Sequence, residues 1–257
     1  MKIETARQLA DACREAAKKD SLYVFGCFGA PLNKANQDRA IAAYAYNRTK
    51  SRQAKIRAAK PDAFGFDCSG LLKGLLWGWE GDASQTYGGA QYGANGVPDQ
   101  NAGSIISCCT DVSEDFSALQ VGEAVWLPGH IGIYIGDGLV VESSPKWADG
   151  VQITACNCEI EGCHTRIWKK HGKLPYITYE EPCSVDLPVL FQGTMGEPVK
   201  TLQRLLVAFG YDIGRRKPVD GSFGPKTEAA VCAFQEKIGV KASGRVEEST
   251  WKALLGV

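Results

Sequence analysis

Net charge is the first thing this sequence lacks. Lys and Arg total 29 and Asp and Glu total 29, so the formal charge at neutral pH is zero. A neutral chain has no basic footprint for a phosphate backbone, which excludes the usual electrostatic nucleic-acid binder. Long apolar runs are missing too. No stretch approaches the roughly 18 apolar residues of a membrane-spanning helix, so no membrane span is expected. The opening residues, Met1-Lys2-Ile3-Glu4-Thr5-Ala6-Arg7, hold no apolar core of the kind a signal peptide needs. Histidine is scarce: any imidazole chemistry falls on His130, His164 or His171.

What is present reads as a globular protein. The chain has 257 residues, 44% hydrophobic and 23% charged, which suits a medium domain plus a small one. Ten cysteines are many. A chain this long buries a core without disulfide staples, and Cys13 and Cys232 fall on apolar stripes, so mostly free thiols are expected. Cys156, Cys158, Cys163 and His164 crowd nine residues. The spacing C-x-C-x4-C-H is not a common zinc pattern. Reduced cysteines in a loop, or a local disulfide, are favoured over a metal site there, and no metal or other cofactor is expected.

The hydrophobic period changes along the chain. Residues 5–19 read as an amphipathic helix, with Thr5 and Gln8 as a capping box and Ala6, Leu9, Ala10, Cys13 and Ala17 as its stripe. A short strand follows at 22–25. Residues 33–61 are polar and basic, a solvated helical excursion or, less simply, a substrate-steering patch. A buried helix is expected at 67–79 and loop at 80–104. From 121 the period becomes two, with strands near 122–127, 130–135, 139–143, 151–155, 165–169 and 174–178. Residues 179–189 read as a linker. Beyond it, three helical stripes in about 65 residues make a small all-α module.

The segment Phe66-Asp67-Cys68-Ser69-Gly70 carries chemistry. Asp67 can cap the helix that follows, which puts Cys68 in the first turn, where free amides and the helix dipole favour negative charge. That predicts a lowered thiol pKa and an oxyanion-binding amide; a buried structural cysteine is the alternative. A nucleophilic cysteine needs a base. His130 opens the alternating run His130-Ile131-Gly132-Ile133-Tyr134-Ile135, which turns through Gly136-Asp137-Gly138 into Leu139-Val140-Val141-Glu142. A two-residue turn at Asp137-Gly138 would place Glu142 on the face opposite His130. A three-residue turn at 136–138 pairs 135 with 139 and 132 with 142, and gathers Ile131, Ile133, Ile135, Leu139 and Val141 on one apolar face. The segregation of Ile, Leu and Val supports the latter, and Glu142 then lies diagonal to His130 as its orienting carboxylate. An exposed strand carboxylate is the plainer alternative for Glu142.

These residues carry a resemblance. Tyr23-Val24-Phe25-Gly26, Phe66-Asp67-Cys68-Ser69-Gly70-Leu71, Leu119-Gln120-Val121-Gly122-Glu123-Ala124-Val125 and Gly129-His130-Ile131-Gly132-Ile133-Tyr134-Ile135-Gly136 follow the NlpC/P60 cysteine peptidase domain in order and spacing. The resemblance implies an α+β, papain-like fold for residues 1–180, with the cysteine on a helix packed against an antiparallel sheet that carries the histidine. It implies cleavage of amide bonds in bacterial cell-wall peptides, often between D-γ-glutamyl and the diamino acid. Cys68 would be the nucleophile, His130 the base and Glu142 the third member, with Tyr23, Asp67 and Ser69 accessory or substrate-binding. Glu123 stands where many members have Asp, and the 33–61 insertion is longer than usual.

The tail carries a second resemblance. Leu202-Gln203, Gly210-Tyr211, Asp220-Gly221-Ser222-Phe223-Gly224, Phe234-Gln235, Gly244-Arg245-Val246 and Thr250-Trp251 follow the three-helix peptidoglycan-binding domain type 1, over residues 190–257. Ala242-Ser243-Gly244 departs from its usual Asp-Gly. The two resemblances imply a monomeric peptidoglycan endopeptidase that carries its own wall-binding module. An N-acetylmuramoyl-L-alanine amidase with the same residues, or a non-catalytic wall-binding protein, are the alternatives. Its expected place is the cell wall, outside the cell, with the cytoplasm as the compartment before a holin-type release.

Overall fold

The computed structural model describes residues 2–179, 187–214 and 218–256. The chain divides into two compact units, Met1–Glu181 and Pro182–Val257. Residues 180–186 of the expected linker, and Cys183 with them, lie outside the described residues. Among the described residues, no helix is long and apolar enough to cross a membrane.

Unit one is α+β. It opens with α1 (Ala6–Ala17), started by the expected capping box: Gln8 N donates to Thr5 Oγ1, and Gln8 Oε1 accepts from Thr5 N, both at 3.2 Å. β1 (Ser21–Tyr23) and β2 (Phe28–Pro31) flank β3 (Phe64–Phe66) in a small sheet of order β1-β3-β2. The basic excursion forms α2 (Lys34–Ala43), α3 (Ala45–Arg48) and α4 (Lys50–Ala58). It is anchored rather than merely solvated. Arg52 is buried and both its Nη atoms donate to Asp149 Oδ1 at 2.7 Å, while Asn47 Nδ2 donates to the carbonyls of Phe25 and Ala40. Lys34 and Arg57 both pair with Asp38, so part of the basic run is neutralised within the excursion itself.

α5 (Cys68–Leu76) follows, then a long irregular segment, then α6 (Ala102–Cys108), a helix the sequence reading did not expect and whose first residues it gave to the 80–104 loop. The second sheet comprises β4 (Thr110–Ser113), β5 (Ala124–Leu127), β6 (His130–Gly136), β7 (Leu139–Ser144), β8 (Gly150–Cys156), β9 (Thr165–Arg166) and β10 (Lys170–Lys173). Its order is β4-β10-β5-β6-β7-β8-β9, antiparallel except for β8 with β9. The strand expected at 174–178 is a turn, and the ladder lies one step earlier at 170–173. Pro175 has no N–H to give a central ladder, whereas His171 and Gly172 are buried between the half-buried Lys170 and Lys173. α5 packs on β2, β6 and β7. Leu71, Leu72, Leu75 and Leu76 meet Ile131, Ile133, Ile135 and Val141 in the main core. Each such side chain, fully buried, stabilises by about 1.5–3 kcal/mol.

A buried Glu123–His171 pair ties β10 to the turn before β5. Glu123 and His171 are 2% and 3% exposed. His171 Nδ1 meets Glu123 Oε2, and Nε2 lies 2.8 Å from the carbonyl of Asp115. A neutral imidazole serves only one of these acceptors; the imidazolium serves both. Burial pushes the Glu123 carboxyl up, and the hydrogen bond and charge of His171 oppose it. Glu123→Ala is expected to cost about 3–5 kcal/mol in a urea unfolding titration, because it strands the imidazole against one acceptor. A loss within 0.5 kcal/mol, the usual range of a surface change, would show that the pair is a passive contact.

Unit two is all-α. α7 (Glu197–Ala208), α8 (Pro225–Lys237) and α9 (Glu248–Leu255) close on Leu202, Leu206, Phe223, Val231, Phe234 and Trp251. Two buried glutamines repeat one device. Gln203 Oε1 accepts from Gly221 N and its Nε2 donates to Asp220 Oδ1; Gln235 Oε1 accepts from Gly244 N and its Nε2 donates to the Arg245 carbonyl. This accounts for the departure at Ser243. Ser222 N donates to Asp220 Oδ1 at 2.8 Å, and Arg245 N donates to Ser243 Oγ at 3.3 Å, so a hydroxyl takes the carboxylate's place in the second turn.

Candidate active site

Two glycines and an aspartate build the seat of Cys68. Asp67 caps α5 as the sequence predicts: Oδ1 accepts from Gly70 N at 2.5 Å and from Ser69 Oγ at 3.0 Å, and Oδ2 accepts from Gly26 N at 2.8 Å. A side chain at Gly70 would bring its Cβ to 2.0 Å from the Cys27 carbonyl oxygen. Only glycine lets the first turn of α5 approach that carbonyl. Gly26, at φ +80, lies under the ring of Tyr44.

Cys68 is 8% exposed. The sequence predicts a lowered thiol pKa; the structure reverses this. Burial, and then the Asp67 carboxylate, push the Cys68 thiol up to about 11, against the backbone amides of Ser69, Ile131 and Cys68 itself. The helix-start effect is real but smaller than desolvation in this packing. The resting Cys68 is therefore a thiol. The Ile131 amide at Sγ places Cys68 against β6, one residue from His130.

The hairpin delivers Glu142 to His130, by a different turn from the one expected. Gly136 pairs with Leu139, so Asp137 and Gly138 form a two-residue turn, both left-handed at φ 54 and 72. A β-bulge between Tyr134 and Gly136 then absorbs one residue, and Ile133 pairs with Val141 as the three-residue turn required. Asp-Gly favours the two-residue turn, whose twist matches the strands, and the bulge lets Ile135 stay buried. His130 Nε2 lies 2.5 Å from Glu142 Oε2. Glu142 is fully buried, not an exposed strand carboxylate. Burial works to raise its carboxyl, but the hydrogen bonds and charges of His130 and Arg166 outweigh it and hold the group below its ordinary range.

Three neighbours of this pair escape the sequence reading. Arg166 Nε donates to Glu142 Oε1 at 2.7 Å, and Thr154 Oγ1 donates to the same atom at 2.8 Å. Trp168 stacks on the His130 ring, 5.5 Å between centroids and 10° from parallel. Arg166 and Trp168 are two apart in the segment read as one strand, so a shared face was the available signal. Their approach to Glu142 depends on the parallel pairing of β9 with β8, which no local pattern encodes.

A cleft of about 640 Å³ opens over Cys68. Tyr23, Asp67 and Ser69 line it. Tyr23 is buried, its phenol pushed up by that burial and by the neighbouring Cys68 and Asp67. The far wall brings Lys73, Tyr92 and Asp99, joined by the Lys73–Asp99 ion pair and by Tyr92 OH donating to Asp99 Oδ2 at 2.9 Å. Nine cysteines among the described residues are free. Among the described residues, no three His, Cys, Asp or Glu side chains converge on a metal-sized site. Cys156 is buried, Cys158 is exposed and His164 stacks on Trp147.

Residues 195–254 match the family model of a peptidoglycan binding domain. The match covers most of the C-terminal unit. A "Probable N-acetylmuramoyl-L-alanine amidase" of Bacillus licheniformis is 44% identical over 66 residues, 26% of this chain and 18% of that protein. An uncharacterized protein of Kitasatospora aureofaciens is 43% identical over 75 residues, 28% of this chain and 58% of that protein. The chain thus spans less than two thirds of either relative. The SleB N-terminal domain structure is 36% identical over 27% of this chain and 90% of its own, with a TM-score of 0.25. The P60 domain of antigen MAP1204 from M. avium subspecies paratuberculosis is 15% identical over 65% of this chain and 96% of its own, with a TM-score of 0.36.

Proposed function

We propose that this protein is a cell-wall hydrolase of the NlpC/P60 type, an endopeptidase that cuts peptidoglycan stem peptides between D-γ-glutamyl and the diamino acid. The observation that carries the reading is the convergence of Cys68, at the start of α5, with the His130–Glu142 pair of the adjoining sheet. Cys68 and Gly129, the residue before His130, line the same cleft.

The chemistry follows from the geometry. His130 commits Nε2 to Glu142, so Nδ1 is the ring nitrogen left to take the Cys68 proton. Because burial keeps the thiol protonated, the proton moves as sulfur attacks the scissile carbonyl carbon, not before. In this reading the Cys68 amide at the helix start receives the developing oxyanion. The imidazolium returns its proton to the leaving amine, and a thioester links Cys68 to the glutamyl carbonyl. Water, deprotonated by the same nitrogen, then hydrolyses the thioester and regenerates the thiol. The buried Glu142 stabilises the imidazolium in both halves.

Mass spectrometry of fragments released from purified peptidoglycan tests the bond. New free amino groups on the diamino acid support the endopeptidase; released L-Ala N-termini would make it an amidase instead. The C-terminal domain supplies local concentration on an insoluble polymer. Removing residues 190–257 should therefore leave turnover of soluble muropeptides within about twofold and weaken lysis of intact walls by about 10²-fold. Equal loss on both substrates would show that the tail shapes the cleft.

A further inference from the structure

We propose that Arg166 is a positioning residue that sets the tautomer of His130 by keeping Glu142 an acceptor. The proposal rests on the peptidase reading of Cys68 and His130. Glu142 is fully buried and receives three groups: His130 Nε2 at Oε2, and Thr154 Oγ1 and Arg166 Nε at Oε1. Thr154 is neutral and His130 is the base whose state is at issue. Arg166 is thus the one permanent charge of the three. A buried carboxylate without such a partner takes up a proton.

The protonation state of Glu142 decides which nitrogen of His130 carries hydrogen. An ionised carboxylate only accepts, so Nε2 must hold the proton and Nδ1 keeps its lone pair for Cys68. A protonated Glu142 can instead donate to Nε2. The ring then carries its hydrogen on Nδ1, facing the thiol, and has no lone pair to receive the thiol's proton. Arg166 thus acts on the base through the carboxylate without touching either reacting atom.

Arg166 is itself held in place. Nη2 donates to Ser144 Oγ at 3.2 Å, and the guanidinium lies 4.7 Å from the Trp147 ring centroid and 5.7 Å from that of Trp168. Trp168 is also the ring stacked on His130, so one indole seats both the guanidinium and the imidazole. The charged and titratable groups around the carboxylate come from three directions. They are His130 of β6 with Cys68 of α5 beyond it, Arg166 of β9, and Lys146 and His164 on the far side of Trp147. β8 contributes the neutral Thr154 and Gln152, the latter paired opposite Glu142, and the Cys156 thiol, which packs with Trp168 and which burial keeps protonated.

The test is nitrogen NMR of His130 in the full chain carrying Cys68→Ala, alone and with Arg166→Gln or Arg166→Lys, together with pH–rate profiles of the same Arg166 variants in the Cys68 protein. With Arg166 intact, the Nε2–H form is expected at neutral pH. Arg166→Gln should move the ring toward Nδ1–H and lower kcat ten- to a hundredfold, with KM within about twofold. Its acid limb should move upward in pH. The guanidinium helps hold Glu142 below its ordinary range; without it, burial raises the carboxyl and the active anion is lost at a higher pH. Arg166→Lys keeps the charge and should recover most of the tautomer and the profile, and it decides the matter if the Gln variant does not fold. An Nε2–H ring and an unmoved acid limb in Arg166→Gln, or an Nδ1–H ring in Arg166→Lys, overturns the proposal. If the unsubstituted protein turns over no stem peptide, the peptidase reading falls, while the NMR comparison still decides the tautomer.

Discussion

Cys68→Ala is expected to abolish turnover of a synthetic stem peptide, a loss on the order of 10⁶-fold in kcat, while the protein stays folded. The reason is chemical: alanine leaves no atom at the start of α5 that can form a thioester. The fold should tolerate the change, because the helix start is held by Asp67 and by the close approach at Gly70, not by the thiol. The Cys68 thiol, pushed up to about 11, adds a second expectation. Alkylation by a small iodo reagent should be slow at neutral pH and accelerate steeply on the alkaline side, since the thiolate is the reactive form. Peptide turnover in Cys68→Ala, measured by chromatography of the products, would move the nucleophile elsewhere in the chain.

Glu142→Gln should lower kcat on the same peptide by about a hundred- to ten-thousand-fold, despite being nearly isosteric. Arg166 Nε and Thr154 Oγ1 both point hydrogen at Oε1 and require an oxygen there. The amide oxygen satisfies them, and its NH2 group is then forced toward His130 Nε2, which must accept. The imidazole is driven into the form with no lone pair on Nδ1. Glu142→Ala removes the conflict but leaves the guanidinium uncompensated in a site where Arg166 is 12% exposed. It should therefore lose about 3–5 kcal/mol of stability by urea titration, which Glu142→Gln largely keeps. A Gln variant within threefold of the unsubstituted rate would show that the carboxylate neither charges nor orients the base.

The parts of this site legible in the sequence are those that local pattern controls. Asp67 before an apolar helix announces a cap. The alternation of Ile131, Ile133 and Ile135 fixed which residues share a face, and so brought Glu142 to His130 even though the turn was drawn with the wrong number of residues. What stayed hidden depends on packing between distant segments. Arg166 reaches Glu142 across 24 residues and Arg52 reaches Asp149 across 97. The direction of the Cys68 shift could not be read at all. The helix start argues one way, and the burial that wins exists only once α5 lies on β6. The short strands β2, β3 and β4 were missed for a related reason. Three or four residues show no period, and pairing alone defines them.

The bulge at Ile135 has an evolutionary meaning. Facing along a strand is a matter of odd and even, and the His130–Glu142 pair spans the hairpin, so its alignment is a parity condition on everything between the two residues. The two-residue turn and the bulge are each compatible with a folded hairpin, yet only together do they return the correct parity. Length changes in this connection are thus permitted in pairs, or singly with a compensating loss or gain of a bulge. A lineage that drifts by one residue here keeps its sheet and turns its carboxylate away from its imidazole.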